Sequence, residues 1–185
     1  MAQQYKEEPL TDFASVNEHT PLESLNLNWR ERDLPERERT KHVHRLHPYM
    51  GKFIPQLVEI FIRKFKPKLV YDPFCGSGTT LVEANILGVD SIGVDISAFN
   101  VLLSKVKTNK YNVKKVRDEI FDILMKTHES IKKHNINSFT TDNEYINAWF
   151  SPKARQELLC YASFIKNYEN SDLLKIILSR SARSA

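Results

Sequence analysis

One run, Leu69-Val-Tyr-Asp-Pro-Phe-Cys-Gly-Ser-Gly-Thr-Thr-Leu-Val-Glu83, constrains this chain more than any other stretch. It reads as a strand over 68–72, a turn at Gly76-Ser-Gly78 and a helix over 79–87 that Gly88 ends. Leu69, Val70 and Tyr71 suit a buried strand, and glycine takes the backbone angles of a tight turn without a Cβ penalty. Thr79 or Thr80 offers a hydroxyl to cap the helix. A second apolar strand over 91–95 closes on the carboxylate of Asp95. Strand, turn, helix and strand in that order form the unit of a parallel sheet with a helical crossover, so the expected fold class is α/β.

The side chains around the glycines separate three kinds of ligand. A phosphate-binding loop places Lys and then Ser or Thr directly after its last glycine, whereas Thr79 and Thr80 follow Gly78. A dinucleotide turn carries a third glycine three residues after the second, and Leu81 holds that place. What remains is a ligand with an adenosine-like body and no phosphate, a description that S-adenosylmethionine fits. An acidic residue roughly 20 positions beyond such a turn accepts hydrogen bonds from ribose hydroxyls, and Asp95 stands where that role requires. The other reading is that Asp95-Ile-Ser97 caps the helix that follows from about Ala98.

These residues carry a family resemblance. Asp72-Pro-Phe-Cys-Gly-Ser-Gly-Thr-Thr80, with Glu83-Ala84 and Gly93-Val-Asp-Ile-Ser97, resembles the cofactor-binding motif of amino-group DNA methyltransferases. The run His47-Pro-Tyr-Met-Gly-Lys-Phe-Ile-Pro55 resembles the motif that precedes it in many of them. The resemblance covers residues 41–107. It implies a Rossmann-like S-adenosylmethionine-dependent methyltransferase fold, S-adenosylmethionine as cofactor, and DNA as partner, with transfer to an exocyclic amino group of adenine or cytosine. Carried onto this chain, the cofactor site comprises Tyr49, Lys52 and Phe53, then Asp72, Pro73, Phe74, Cys75, Gly76, Ser77, Gly78, Thr79 and Thr80, then Asp95, Ile96 and Ser97. The ring of Tyr49 or Phe53 is available to pack on the ligand, and Lys52 is expected near its carboxylate. RNA guanine methyltransferases carry a near-identical turn, and the His-Pro-Tyr run tilts the choice toward DNA.

A second motif of that family, an Asp, Asn or Ser followed by Pro-Pro and an aromatic residue, is missing. Its polar side chain and proline carbonyl accept hydrogen bonds from the target amine while the aromatic ring stacks on the flipped-out base. None of the 8 prolines adjoins another, and the nearest approaches are Ser151-Pro-Lys and Asp72-Pro-Phe. Only two strong strands are legible, too few to bury both faces of a doubly wound sheet. The expectation is an incomplete Rossmann-like fold with a mainly helical C-terminal extension, the cofactor-binding piece of a longer or split enzyme. Such a piece is inactive alone and holds no catalytic residue; a missing C-terminal portion or second polypeptide supplies the catalytic motif. The alternatives are a fragment of an RNA guanine methyltransferase and a non-catalytic cofactor-binding remnant.

The rest of the chain is organised around this region: a polar arm over 1–40, the cofactor-binding portion over 41–110 and a helical insertion over 111–185. Residues 1–28 read as loosely ordered and 29–45 as a solvated run of mixed charge; the less favoured reading has Arg37, Arg39, Lys41 and Arg45 touching a DNA backbone. Leu57, Ile60, Phe61 and Phe65 make the apolar stripe of a helix that starts at Pro55. Further helices are expected over 98–107, 113–134, 151–165 and 172–181, with Val113, Val116, Ile120, Leu124 and Ile131 as the stripe of the longest. A polar connection over 135–143 follows that helix. The net charge of +4 has its basic excess beyond residue 100, which permits nucleic acid without demanding it. His42, His44 and His47 lack further ligands at metal-site spacing, and Cys75 and Cys160 are too few for a disulfide framework. With no signal-peptide pattern at its start and no membrane-length apolar run, the chain is expected in the cytoplasm.

Overall fold

The computed structural model describes residues 9–49, 51–133 and 139–185, and the chain divides into two compact units, 1–108 and 109–185. The first runs α1 (Glu36–Arg39), α2 (Pro55–Phe65), β1 (Leu69–Asp72), α3 (Thr79–Ile86), β2 (Asp90–Gly93) and α4 (Ala98–Thr108). The two strands pair in parallel, Leu69 opposite Asp90 and Asp72 opposite Gly93. Parallel pairing needs a crossover, which α3 supplies by packing on both strands, on α2 and on α4. The α/β class read from the sequence takes the form of helices around a small parallel sheet.

Local chemistry explains most of these boundaries. Pro55 opens α2, where its missing N–H costs nothing, and Lys66 ends it in the left-handed region with its amide bonded to Ile62 O. Gly78 is the N-cap of α3 at φ +78, and no side chain caps the helix. Thr79 is therefore the first helical residue rather than a cap, contrary to the sequence reading. A Cβ at Gly78 would lie 2.6 Å from Ser104 Oγ and 3.2 Å from Ser104 Cα, so α4 approaches the turn too closely for any side chain. Strand β2 stops at Gly93 instead of reaching 95: Val94 N–H still donates to Asp72 O at the end of β1, but Val94 O accepts from Cys75 N in the turn.

Three further expectations change. β1 is not buried on both faces: Val70 and Gly93 face the helices, whereas Leu69, Tyr71 and Ile92 share the opposite face and Tyr71 is 61% exposed. Two strands covered on one side leave alternate side chains uncovered. Of the expected stripe Leu57, Ile60, Phe61 and Phe65, only Ile60 joins the buried face of α2, beside Gln56, Glu59 and Ile62. Gln56 and Glu59 tolerate burial because Gln56 donates to Glu38 O and Glu59 accepts from Lys41 and Arg63. Phe61 and Phe65 stack on each other at the surface and, with Phe53, Leu57 and Val70, line an open apolar groove. Third, the described part of the expected polar arm over 1–40 is fastened: Val16 and Leu34 are 4% and 2% exposed, Thr11 and Asn26 bond to each other's backbone, and Trp29 Nε1 donates to Thr11 O. Short polar side chains satisfy that backbone locally, which lets two isolated apolar residues bury.

The second unit runs α5 (Val113–Lys133), α6 (Glu144–Trp149), α7 (Pro152–Phe164) and α8 (Ser171–Ala182). Asn143 caps α6 and Ser151 caps α7, where Pro152 occupies the first turn. Ile123, Tyr161, Ile165 and Leu174 form its core. Within α5 the buried line passes through Ile123 and Thr127, leaving Val113 and Leu124 exposed. A stripe drawn from apolar residues alone misses Thr127, whose hydroxyl is satisfied by Ile123 O and can therefore be buried. The ends of two expected segments, 134 and 135–138, and Met50 of the upstream run lie outside the described residues. Among the described residues no helix is long and apolar enough to cross a membrane.

At Gly93 the sheet and the crossover approach closely: an added Cβ would meet Leu81 Cδ1 at 2.6 Å and Cys75 Cβ at 2.9 Å. Gly93→Val is expected to lower stability by about 1–3 kcal/mol. Urea denaturation followed by circular dichroism measures it; an unchanged midpoint would mean that α3 does not sit this close.

Candidate functional site

The glycine turn is held from behind by a single face of α4. Asn100, Ser104 and Lys107 recur at helical spacing, so their side chains project together between the buried Leu103 and Val106. Asn100 Nδ2 donates to Asp95 Oδ1 at 3.0 Å and to Tyr49 Oη at 3.3 Å. Ser104 Oγ donates to Gly76 O at 3.1 Å, and Lys107 Nζ donates to Ser77 O at 2.8 Å. From the strand side, Asp95 Oδ2 accepts from Gly76 N and Oδ1 accepts from Ser97 N, both at 2.8 Å. The Ser97 amide and then the Asn100 amide hold the Asp95 carboxyl below its ordinary 3.8.

A segment before α2 covers the turn, and buried charge anchors it. His44 is fully buried with Nε2 2.8 Å from Glu83 Oε1, while Glu83 Oε2 lies 3.0 Å from Lys41 Nζ. Lys41 also binds Glu59, which is bridged to Arg63 at 2.7 Å. Burial drives Glu59 upward, but hydrogen bonds from Lys41 and Arg63 outweigh it and hold the carboxyl below 4.5. Burial lowers His44 from 6.5 against the pull of Glu83, which favours a neutral ring donating through Nε2. Lys52 Nζ donates to His44 O at 3.0 Å, fixing the far end of the segment. Tyr49 then lies over the turn, its hydroxyl 3.3 Å from where a Gly76 Cβ would stand.

Together these elements enclose a cavity of about 230 Å³ at the end of the strands. Of the residues singled out from the sequence, Tyr49, Lys52, Phe53, Asp72, Phe74, Cys75, Gly76, Ser77, Thr79, Thr80 and Asp95 line it. Pro73, Gly78, Ile96 and Ser97 do not: Gly78 faces α4, Ser97 serves Asp95 through its amide, and Pro73 and Ile96 are exposed. Gly51 joins the lining, and Asn100, Ser104 and Lys107 stand behind it. The polar spacing of those three on an otherwise apolar helix face was the available sequence signal.

The cavity wall has the features of a receptor for a polar ligand. Ser77 Oγ and Thr79 Oγ1 are buried without a hydrogen-bond partner, and the first amides of α3 lie beside them. Lys107, 6% exposed, is pushed by burial and then by Lys52 down to about 8. Lowering an ammonium by that much costs about 3 kcal/mol at neutral pH. Cys75 is buried, and burial raises its thiol above 9.0, so it is poorly suited to act as a nucleophile. The three neighbouring histidines diverge: His42 sits in a turn at φ +57, His44 pairs with Glu83 and His47 packs edge-on to Phe99. Among the described residues no group of three His, Cys, Asp or Glu could hold a metal ion.

A family model described as a DNA methylase matches residues 3–106. The type II methyltransferase M.MjaII of Methanocaldococcus jannaschii is 35% identical over 219 aligned positions, covering 82% of this chain and 41% of the relative. The type II methyltransferase M.MvaI of Kocuria varians is 35% identical, covering 69% of this chain and 29% of the relative. A tRNA (guanine(10)-N2)-dimethyltransferase of Methanocaldococcus jannaschii is 26% identical over 63% of this chain and 37% of its own length. The chain thus spans well under half the length of these curated relatives. No solved structure matches it at comparable stringency.

The buried His44 makes stability depend on pH with a definite sign. Its folded pKa lies below the unfolded 6.5, so above 6.5 the ring is neutral in both states and no penalty applies. Below 6.5 the unfolded chain takes up a proton that the folded chain refuses, and stability falls until the folded pKa is passed. His44→Gln is expected to flatten the loss of stability as pH falls below 6.5, measured by urea midpoints at each pH. An identical slope in both proteins would remove His44 as the cause.

Proposed function

The chain belongs to the DNA methylase family, and on that premise we propose that it is the cofactor-binding part of an S-adenosylmethionine-dependent DNA methyltransferase acting on an exocyclic amino group of adenine or cytosine. The observation that carries this reading is one cavity, at the carboxyl ends of two parallel strands, whose wall combines a glycine turn, a helix N-terminus and an acidic residue from the second strand's end. Ligands of open α/β sheets bind at such strand ends. The residues present fit the cofactor: its polar end has two buried hydroxyls without partners to meet, and its ribose has Asp95.

Roles follow from chemistry. Asp95 Oδ2 accepts one hydrogen bond, from Gly76, and keeps a lone pair for a ribose hydroxyl. Phe74 and Ile96, both highly exposed beside this carboxylate, offer apolar surface to a purine face. Ser77, Thr79 and the opening amides of α3 receive the methionine end, with Tyr49 and Lys52 closing over it. S-adenosylmethionine, when bound, supplies an electrophilic methyl group on sulfur. The chain's own contribution is to hold the nucleoside and amino-acid ends so that the methyl faces one direction, an advantage of positioning.

Orientation of the target amine requires groups these residues do not contain. The relatives are more than twice the length of the matched region, and the uncovered sheet face and the Phe61–Phe65 groove give further strands and helices somewhere to pack. We assign the Pro-Pro-aromatic motif and target recognition to additional polypeptide, making the fold one part of a larger Rossmann-like domain. The tRNA methyltransferase match favours one alternative, an amino group of guanine in RNA, reached from the same cofactor site.

Calorimetric titration with S-adenosylhomocysteine and with ATP tests the cofactor reading: binding of the first alone is expected, and binding of ATP alone would sink it. Asp95→Ala should weaken S-adenosylhomocysteine roughly tenfold or more with helical content retained; unchanged affinity would remove Asp95 from the site. Co-expression with a polypeptide bearing the Pro-Pro-aromatic motif should yield labelled methyl transfer to DNA. Cofactor binding with no transfer to DNA or RNA would mark a non-catalytic remnant.

A further inference from the structure

We propose that Lys107 is the buried counter-charge for the carboxylate of the bound cofactor, acting through the Ser77 wall of the cavity as a positioning residue. The assignment rests on the cofactor reading above and adds a residue and a charge to it.

Lys107 lies on the face of α4 that backs the glycine turn. It donates to Ser77 O at 2.8 Å and is 6% exposed. A carbonyl needs only a neutral donor, as Ser104 supplies one residue away at Gly76 O. Burying an ammonium to perform that task is costly unless its charge is used. The carboxylates around the site are already engaged elsewhere: Glu83 by His44 and Lys41, Glu59 by Lys41 and Arg63, Asp95 by the Gly76 and Ser97 amides and Asn100, and Asp72 by the Phe74 amide. Lys52, a residue of the cavity wall, adds a second positive charge that repels the first. Among the described residues no carboxylate forms an ion pair with Lys107, whose hydrogen bond goes to Ser77 O.

Ser77 and Thr79 both line this cavity, and donors suited to an anion gather there. Ser77 Oγ and Thr79 Oγ1 are buried without partners, and the N-terminus of α3 directs its free amides beside them. Hydroxyls, helix amides and a cation one residue behind the wall all favour an anion in one place. The carboxylate is the only anionic group of S-adenosylmethionine or S-adenosylhomocysteine. An anion there relieves the repulsion between Lys107 and Lys52 and fills both hydroxyls.

Two nucleosides separate charge recognition from support of the turn. The 185-residue chain and its Lys107→Gln and Lys107→Met variants are titrated with S-adenosylhomocysteine and with 5′-methylthioadenosine, which has no amino-acid end. Lys107→Gln keeps a donor for Ser77 O and loses the charge. Both variants are expected to lose roughly tenfold or more for S-adenosylhomocysteine and nothing for methylthioadenosine, with the melting temperature of the ligand-free chain unchanged or raised. Should Lys107→Gln bind S-adenosylhomocysteine like the unaltered chain, or should either variant lose both ligands equally, Lys107 only braces the turn and the proposal is overturned. An unaltered chain that binds ATP and neither nucleoside would instead remove the cofactor reading and this assignment with it.

Discussion

The hydrogen bond from Gly76 N to Asp95 Oδ2 joins the two halves of everything that lines the cavity. It ties the loop after β1 to the loop after β2, beyond the point where strand pairing ends at Gly93. The same carboxylate takes the Ser97 amide, which starts α4, and the Asn100 amide group, which in turn reaches Tyr49. Turn, strand end, helix start and covering segment are thus coordinated around two oxygens. A residue expected to bind ligand is also the local organiser, so its shape cannot change without moving the walls of the site.

Behind this lies a division of labour between helices. α3 carries Glu83 into the interior, where its two oxygens engage His44 and Lys41 and so fasten the covering segment. α4 touches the turn's carbonyls with a hydroxyl and an ammonium. Breaking one member of such a buried charged group leaves its partner unpaired in a poorly solvated place, which is far more damaging than the net stability of the intact group implies. The covering segment is therefore fixed in register relative to the glycine turn, a requirement for any cavity only about 230 Å³ in volume.

The sequence made some of this legible and hid the rest for physical reasons. The strand–turn–helix–strand order showed itself because glycines, an apolar run and an acidic strand end are local signals, as are Pro55 and Ser151-Pro152 at helix starts. The face of α2 was misjudged because burial there is decided by partners distant in the chain, Glu38 and Lys41, that make Gln56 and Glu59 affordable inside. Thr127 escaped the stripe of α5 for the same kind of reason, a hydroxyl neutralised by its own helix. Val16 and Leu34 gave no periodic pattern at all, since each buries alone within irregular backbone. The polar line Asn100, Ser104, Lys107 could have been read from spacing, but its meaning depends on which loop it meets.

The stacked pair Phe61 and Phe65, with Tyr71 and Leu69 on the sheet, leaves aromatic and aliphatic surface facing water on the first unit. Such surface is what chaperones and proteases recognise, and it promotes self-association as concentration rises. If additional polypeptide covers it, the survival of this chain becomes tied to that polypeptide's supply: surplus copies aggregate or are cleared, and matched copies persist. Dosage would then be balanced by surface chemistry alone, with no dedicated regulator.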